Sequence, residues 1–122
     1  MKTVVIGASP NPIRYSNKAV KSLVENNVEV ILIGNKKGQI LNIKIINNKP
    51  DLYNIHTVLL YLEPTRQKKY YDYILQLRPK RIIFNPGTYN PEFADLLKND
   101  HIQVIHNCAI NMLYYGQYFE EC

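Results

Sequence analysis

The run Thr3-Val4-Val5-Ile6-Gly7-Ala8-Ser9-Pro10-Asn11-Pro12-Ile13-Arg14-Tyr15-Ser16 decides how the rest of the chain is read. A β-branched apolar stretch stops at Gly7, small and turn-forming residues follow, and a helical pattern begins near Ser16. Strand, tight turn and helix N-terminus in that order are the parts of a phosphate-binding corner. Turn N–H groups and the positive end of the helix dipole converge where an anion can sit. Gly7 suits a sharp bend and lets a phosphate come close to the backbone. Ser9 and Ser16 add hydroxyl donors, and Arg14 adds a planar fork matched to phosphate oxygens. Only the first glycine of a G-x-G-x-x-G pattern is present.

Outward from this corner, Asn17 to Asn26 carries Ala19, Val20, Leu23 and Val24 on one face and Lys18, Lys21, Ser22 and Glu25 on the other. This is an amphipathic helix of about three turns. Val28 to Ile33 follows as a nearly continuous apolar strand, the pattern of a parallel sheet covered on both faces. Strand, helix and strand within about 30 residues form a right-handed crossover. Leu41 to Ile46 is open between a short strand and an extended excursion. Core strands are predicted at Thr57–Tyr61, Arg81–Asn85 and Gln103–His106. Between them a helix opens at Glu63-Pro64-Thr65 and runs through Leu77, with Tyr70, Tyr73, Ile74 and Leu77 facing inward. Another starts at Asn90-Pro91, with Asn90 as N-cap and Pro91 in the first helical position. A last helix carries Ile110, Met112 and Leu113. The aromatic tail Tyr114, Tyr115, Tyr118 and Phe119 pads either its own sheet edge or a second copy of the chain. Strands and helices alternate without repeat or linker. The expected fold is one doubly wound α/β domain over residues 1–122, with a mainly parallel five-stranded sheet.

Composition agrees with a single core. With 46% hydrophobic and 20% charged residues over 122 positions, the chain is globular, and it is too short for two ordinary domains. The formal charge of +5 admits an anionic ligand without naming one. No apolar run approaches a membrane span, and Met1-Lys2 leads straight into a strand without a signal-peptide layout. Cys108 and Cys122 make no disulfide framework, Cys122 reads as exposed and inert, and no His/Cys spacing points to a metal. The expected compartment is the cytoplasm. Arg66, Lys68, Lys69, Arg78, Lys80 and Arg81, interleaved with Tyr70, Tyr71 and Tyr73, have the look of a nucleic-acid patch. At helical spacing the tyrosines make a core stripe and the cations its wet face, so nucleic acid is not the expected partner.

In a doubly wound sheet the ligand sits beyond the carboxyl ends of the strands. Gly7, Ala8, Ser9 and Arg14 leave the first of these ends, and Gly34, Asn35, Lys36 and Lys37 the second. Leu62 and Glu63 leave the third, Asn85, Pro86, Gly87 and Thr88 the fourth, and Asn107 and Cys108 the fifth. No general acid–base pair and no nucleophile–base pair stands among them, which is the profile of a holding site. An NAD site wants an acid at the end of the second strand for the ribose hydroxyls. Ile33-Gly34-Asn35-Lys36-Lys37 offers lysines instead, which suit a ribose phosphate as in NADP or coenzyme A.

The corner Val5-Ile6-Gly7-Ala8-Ser9-Pro10-Asn11-Pro12-x-Arg14-Tyr15-Ser16 resembles the opening of the small stand-alone CoA-binding-domain proteins of bacteria. These share a Rossmann-like fold with the CoA-binding domain of succinyl-CoA synthetase α subunits. Asn35-Lys36, the Pro-started helix after the third strand, the Asn85-Pro86-Gly87 turn and Asn107-Cys108 have counterparts in the same order, so the resemblance covers most of the chain. It implies a protein that binds coenzyme A or an acyl-CoA, with Gly7, Ala8, Ser9 and Arg14 on the phosphates. It also implies Lys36 near the adenosine and Asn85, Pro86 and Gly87 along the pantetheine. Ser16, Asn35, Asn107 and Cys108 complete the expected site. The second strand departs from the family in lacking a proline-containing turn. The synthetase phosphohistidine belongs to a second domain, and none of His56, His101 and His106 inherits it by motif. Two other readings stand beside a non-catalytic module, possible partners being a second copy or a larger synthetase-type chain. One is an NADP-dependent oxidoreductase using Tyr61 or Tyr89 as proton donor. The other is a partner-dependent subunit of an acyl-CoA synthetase.

Overall fold

The structure, a computed structural model, describes residues 1–120. Its strands are β1 (Thr3–Ile6), β2 (Val30–Ile33), β3 (Gln39–Ile40), β4 (Ile43–Ile46), β5 (Thr57–Leu60), β6 (Arg81–Phe84) and β7 (Gln103–His106). They form one sheet in the order β3-β4-β2-β1-β5-β6-β7. Every pairing is parallel except β3 with β4. The expected mainly parallel α/β sheet is present, with seven strands where the sequence reading has five. The two additional strands are the hairpin of β3 and β4. Leu41 and Asn42 turn it with φ of +49° and +69°. A tight hairpin needs such positive φ values, and an Asn-Gly pair normally advertises them. Leucine hides the turn from a sequence reader.

The helices are α1 (Tyr15–Glu25), α2 (Tyr71–Leu77), α3 (Pro91–Asn99) and α4 (Ala109–Tyr114). Successive residues of a strand point to opposite faces, so each strand feeds two cores. Val4, Ile6, Val58, Leu60, Ile82 and Phe84 pack against Tyr73, Ile74 and Leu77 of α2 and Phe93, Ala94 and Leu97 of α3. Val5, Leu32, Leu59 and Ile83 pack against Val20 and Leu23 of α1 and Met112 and Leu113 of α4. Two helices per face leave β1, β2, β5 and β6 buried on both sides, which is why they read as unbroken apolar runs. Asn90 caps α3 as expected, accepting from Phe93 N at 3.3 Å, with Pro91 at the first position.

The single helix expected over 63–77 is broken. Two 3₁₀ turns, Pro64–Arg66 and Lys68–Tyr70, precede α2. Gln67, between them, is fully buried, and its amide donates to Leu62 O at 2.8 Å and Thr88 O at 2.7 Å. Asn90 Nδ2 in turn donates to Gln67 Oε1 at 3.0 Å and to the Tyr71 hydroxyl at 2.7 Å. Satisfying those buried carbonyls holds the chain in tight turns where amphipathic spacing alone suggests a helix.

Arg81 is the other correction. Assigned to a wet cationic face, it is 3% exposed. Its Nε donates to Thr57 Oγ1 at 2.8 Å, its second guanidinium nitrogen donates to Tyr118 O at 2.7 Å, and its guanidinium lies 4.5 Å from the centre of the Tyr118 ring. Tyr118 is completely buried and its hydroxyl bonds the Thr3 hydroxyl. The aromatic tail therefore pads its own sheet through Tyr118, across the amino-terminal ends of β1, β5 and β6, while Tyr114 and Tyr115 stay exposed. Cys122 lies outside the described residues.

Truncating this anchor, Tyr118→Ala, is expected to lower stability by about 3 kcal/mol in urea unfolding, through the lost ring and the unstacked Arg81. Tyr118→Phe, which loses only the hydroxyl bond, is expected to cost about 1 kcal/mol.

Candidate functional site

The chain leaves β1 for β2 on one side and returns to β5 on the other, so the sheet reverses its winding between β1 and β5. At that point the loops diverge and leave a crevice over the strand ends. A cleft of about 1090 Å³ lies there. Gly7, Ala8, Ser9, Arg14 and Ser16 line it, as do Asn35 and Lys36, then Asn85, Pro86 and Gly87, and Cys108. All the residues expected at the site are therefore brought together except Asn107. That residue is exposed, and its Oδ1 accepts from Cys108 N at 2.7 Å, a local turn contact outside the cleft.

The corner is pre-shaped by its own short side chains. Gly7 N and Ala8 N both donate to Ile33 O, at 2.9 and 3.0 Å, which ties the exit of β1 to β2. Asn11 N donates to Ser9 Oγ at 3.2 Å, Ile13 N to Asn11 Oδ1 at 3.0 Å, and Arg14 N to Asn11 O at 3.1 Å. Asn17, 2% exposed on the first turn of α1, reaches back with Nδ2 to Ser9 O at 3.0 Å. These local bonds replace water partners and hold the turn without a ligand. The start of α1 is left open to the cleft. Arg14 in the cap position makes no side-chain cap bond, and no acidic residue occupies the first turn. Helix N–H groups without a cap look for an external acceptor.

Gly7 makes the sharp bend its position in the motif suggests and has a packing role besides. At φ +97°, a Cβ added to it would lie 2.8 Å from the Tyr61 carbonyl oxygen. A Cβ on Gly34 would lie 2.2 Å from Ala8 O. Both glycines allow backbone to approach backbone at the ends of β2, β1 and β5, and the contact that excludes a side chain at Gly7 is made by the protein itself.

Asn85 is likewise committed to the frame. Its side chain is fully buried, donating to Leu60 O at 3.2 Å and accepting from Ala109 N at 2.9 Å, which fixes the start of α4 to β5. Thr88 Oγ1 donates to Asn85 O at 2.7 Å and closes the turn. Several lining residues escaped sequence reasoning: Asn11, Ile13 and Tyr15 at the corner, Arg66 and Tyr70 before α2, and Ile110 and Asn111 on α4. For the first three the quoted motif itself was a signal. The others depend on which helix ends the sheet brings to one edge.

Among the described lining residues the only carboxylate is Glu63, and there is no histidine. Burial raises the Tyr61 hydroxyl well above the ordinary phenol range, with smaller contributions from Cys108 and Tyr118, so it stays protonated and is a poor proton relay near neutral pH. Tyr89 does not reach the cleft. Its ring stacks on His106 with centroids 4.6 Å apart.

This geometry is that of a doubly wound domain with a cleft at its switch point. The family described as CoA binding domain matches residues 1–114, and the chain belongs to that family. Among solved structures, one reported as an uncharacterized protein is 42% identical, with a TM-score of 0.93 over 94% of this chain and 95% of that one. A Thermus thermophilus protein is 21% identical, with a TM-score of 0.82 over 97% of this chain and 90% of its own. A hypothetical protein from Pyrococcus horikoshii OT3 is 23% identical, with a TM-score of 0.78 over 93% and 81%. These last two share the fold. No curated protein matches. No helix among the described residues is long and apolar enough to cross a membrane.

Gly7→Ala is expected to lower stability by about 2 kcal/mol or more in chemical denaturation, since the strained φ and the Tyr61 carbonyl both oppose a side chain. Gly87→Ala is the control: at φ +86° its Cβ would meet nothing within 4 Å. The expected loss there is about 1 kcal/mol, from the backbone conformation alone.

Proposed function

We propose that this protein holds coenzyme A, or an acyl-CoA, in the cleft over β1 and β5, and performs no chemistry of its own on it. The observation that carries this reading is the open, acid-free N-terminus of α1, facing a cleft that also presents Ser9, Arg14 and Lys36. The donor set fits the ligand. Helix N–H groups, the Ser9 and Ser16 hydroxyls and the Arg14 fork suit a diphosphate. Lys36, where an NAD site would carry an acid, suits the ribose phosphate. Gly87 and Pro86 leave an open wall for the uncharged pantetheine. Coenzyme A supplies a thiol on which an acyl group rides as a thioester. The chain's contribution is to bind and orient it, and Cys108 lines the same cleft.

A lining with one carboxylate and no histidine supports a holding role, so acyl transfer or ligation falls to another chain. The NADP reading is weaker, because burial makes the Tyr61 hydroxyl a weaker acid than an ordinary phenol and Tyr89 is engaged with His106 outside the cleft.

Calorimetric titration with coenzyme A, NADP and NAD tests the proposal. Micromolar binding of coenzyme A with little response to either dinucleotide is expected, and binding of NADP alone overturns it. Arg14→Ala is expected to weaken coenzyme A about tenfold with an unchanged melting temperature, since Arg14 is exposed and its side chain supports nothing in the fold. Unchanged affinity in that variant removes Arg14 from the site.

A further inference from the structure

We infer that the chain forms a two-fold dimer through β7, in which the two copies of that strand pair antiparallel and join their sheets into one. This is independent of the coenzyme A reading. The two edges of the sheet differ. At one edge β3 is two residues long and is turned antiparallel onto β4. So short a strand offers little to an incoming chain. At the other edge β7 lies parallel to β6 in unbroken register, Gln103-Val104-Ile105-His106, without a proline, a lysine or a bulge. Those are the devices that keep an edge strand from pairing with another chain.

Gln103 N donates to Lys80 O at 3.1 Å and Asn107 N to Phe84 O at 3.2 Å. Backbone groups alternate from side to side along a strand, so Gln103, Ile105 and Asn107 turn theirs toward β6. Val104 and His106 turn theirs outward, and among the described residues no backbone group bonds them. These outward groups suit the same strand from a second copy. A two-fold axis at Ile105, perpendicular to the sheet, sets Val104 opposite the partner's His106, and each such pair exchanges both of its N–H···O bonds. Ile105 meets its own counterpart on the axis, a β-branched pair, and Gln103 meets the partner's Asn107, so no like charges oppose one another. Charge favours a second copy over an unrelated strand. α3 packs beside β7, with Glu92 in its first turn and Lys98 in its last. The axis lays α3 antiparallel to its counterpart, acidic first turn toward Lys98, with the two helix dipoles opposed. Lys98 is exposed and has no ion pair with a described residue.

The test is sedimentation of the full chain over a concentration series, beside Val104→Pro, with melting curves to verify the fold. Proline at 104 deletes an outward N–H and leaves the β6 ladder intact, a position where an edge strand tolerates it. The wild type is expected to be a monomer–dimer mixture at micromolar concentration, since the paired strand is short. Val104→Pro is expected to weaken the dimer at least about tenfold. A second measurement reads the register even if that variant does not fold. In a background of Cys108→Ser and Cys122→Ser, mild oxidation is expected to cross-link Ile105→Cys into a covalent dimer and to leave Val104→Cys monomeric. Only residue 105 meets its own counterpart, with Cα atoms about 4.5 Å apart, within reach of a disulfide. A wild type that stays monomeric throughout the series overturns the inference. A dimer that ignores Val104→Pro, or that cross-links at 104 and not at 105, also overturns it and moves the interface to another face or register. Coenzyme A affinity bears on none of these outcomes, because antiparallel pairing turns the two clefts to opposite ends of the joined sheet.

Discussion

The close approach of three backbones at the carboxyl end of β1 is the constraint on which the cleft depends. Gly7 leaves β1 against the Tyr61 carbonyl, and Gly34 leaves β2 against the Ala8 carbonyl, at separations that admit no Cβ. Gly7 N and Ala8 N share the Ile33 carbonyl across the same gap. With those strand ends drawn together, the residues that follow have to turn away from one another, and the space between them is the cleft. A side chain at either glycine would spread the strands and move the start of α1 away from the switch point.

From that junction outward, polar side chains set the walls. Asn17 ties the start of α1 to the Ser9 carbonyl, Asn85 ties β5 to the start of α4, and Gln67 ties the turn before α2 to the loop after β6. All three are buried amides, and the side-chain nitrogen of each donates to backbone carbonyls. Asn85 bridges two segments with both ends of its amide, nitrogen to Leu60 O and oxygen from Ala109 N, and Gln67 bridges two with both hydrogens of its nitrogen. The exposed cations Arg14, Lys36 and Arg66 are then free to face a ligand because the frame does not need them. The opposite end of the sheet has the reverse arrangement, with Arg81 and Tyr118 consumed by the fold.

Much of this was legible in the chain itself. The strand–Gly7–helix run, the continuous apolar strands, the Asn90-Pro91 cap and the missing acid after β2 are local patterns, and local patterns follow from backbone sterics and periodicity. They were sufficient for a parallel, doubly wound sheet and for gathering Gly7, Ala8, Ser9, Arg14 and Ser16 at one corner of the cleft. Tertiary structure decided whatever depended on residues far apart in sequence. Arg81 looks like a surface cation until Tyr118, 37 positions later, folds over it. Gln67 looks like one more helical residue until the carbonyls of Leu62 and Thr88 need its amide. That Gly7 also makes room for the Tyr61 carbonyl is visible only once β5 lies beside β1. Arg66 becomes a site residue only once the sheet brings the turn before α2 to the edge where β1 ends. Spacing along a chain carries periodicity and turn chemistry, whereas burial and the pairing of distant groups exist only after the sheet has closed.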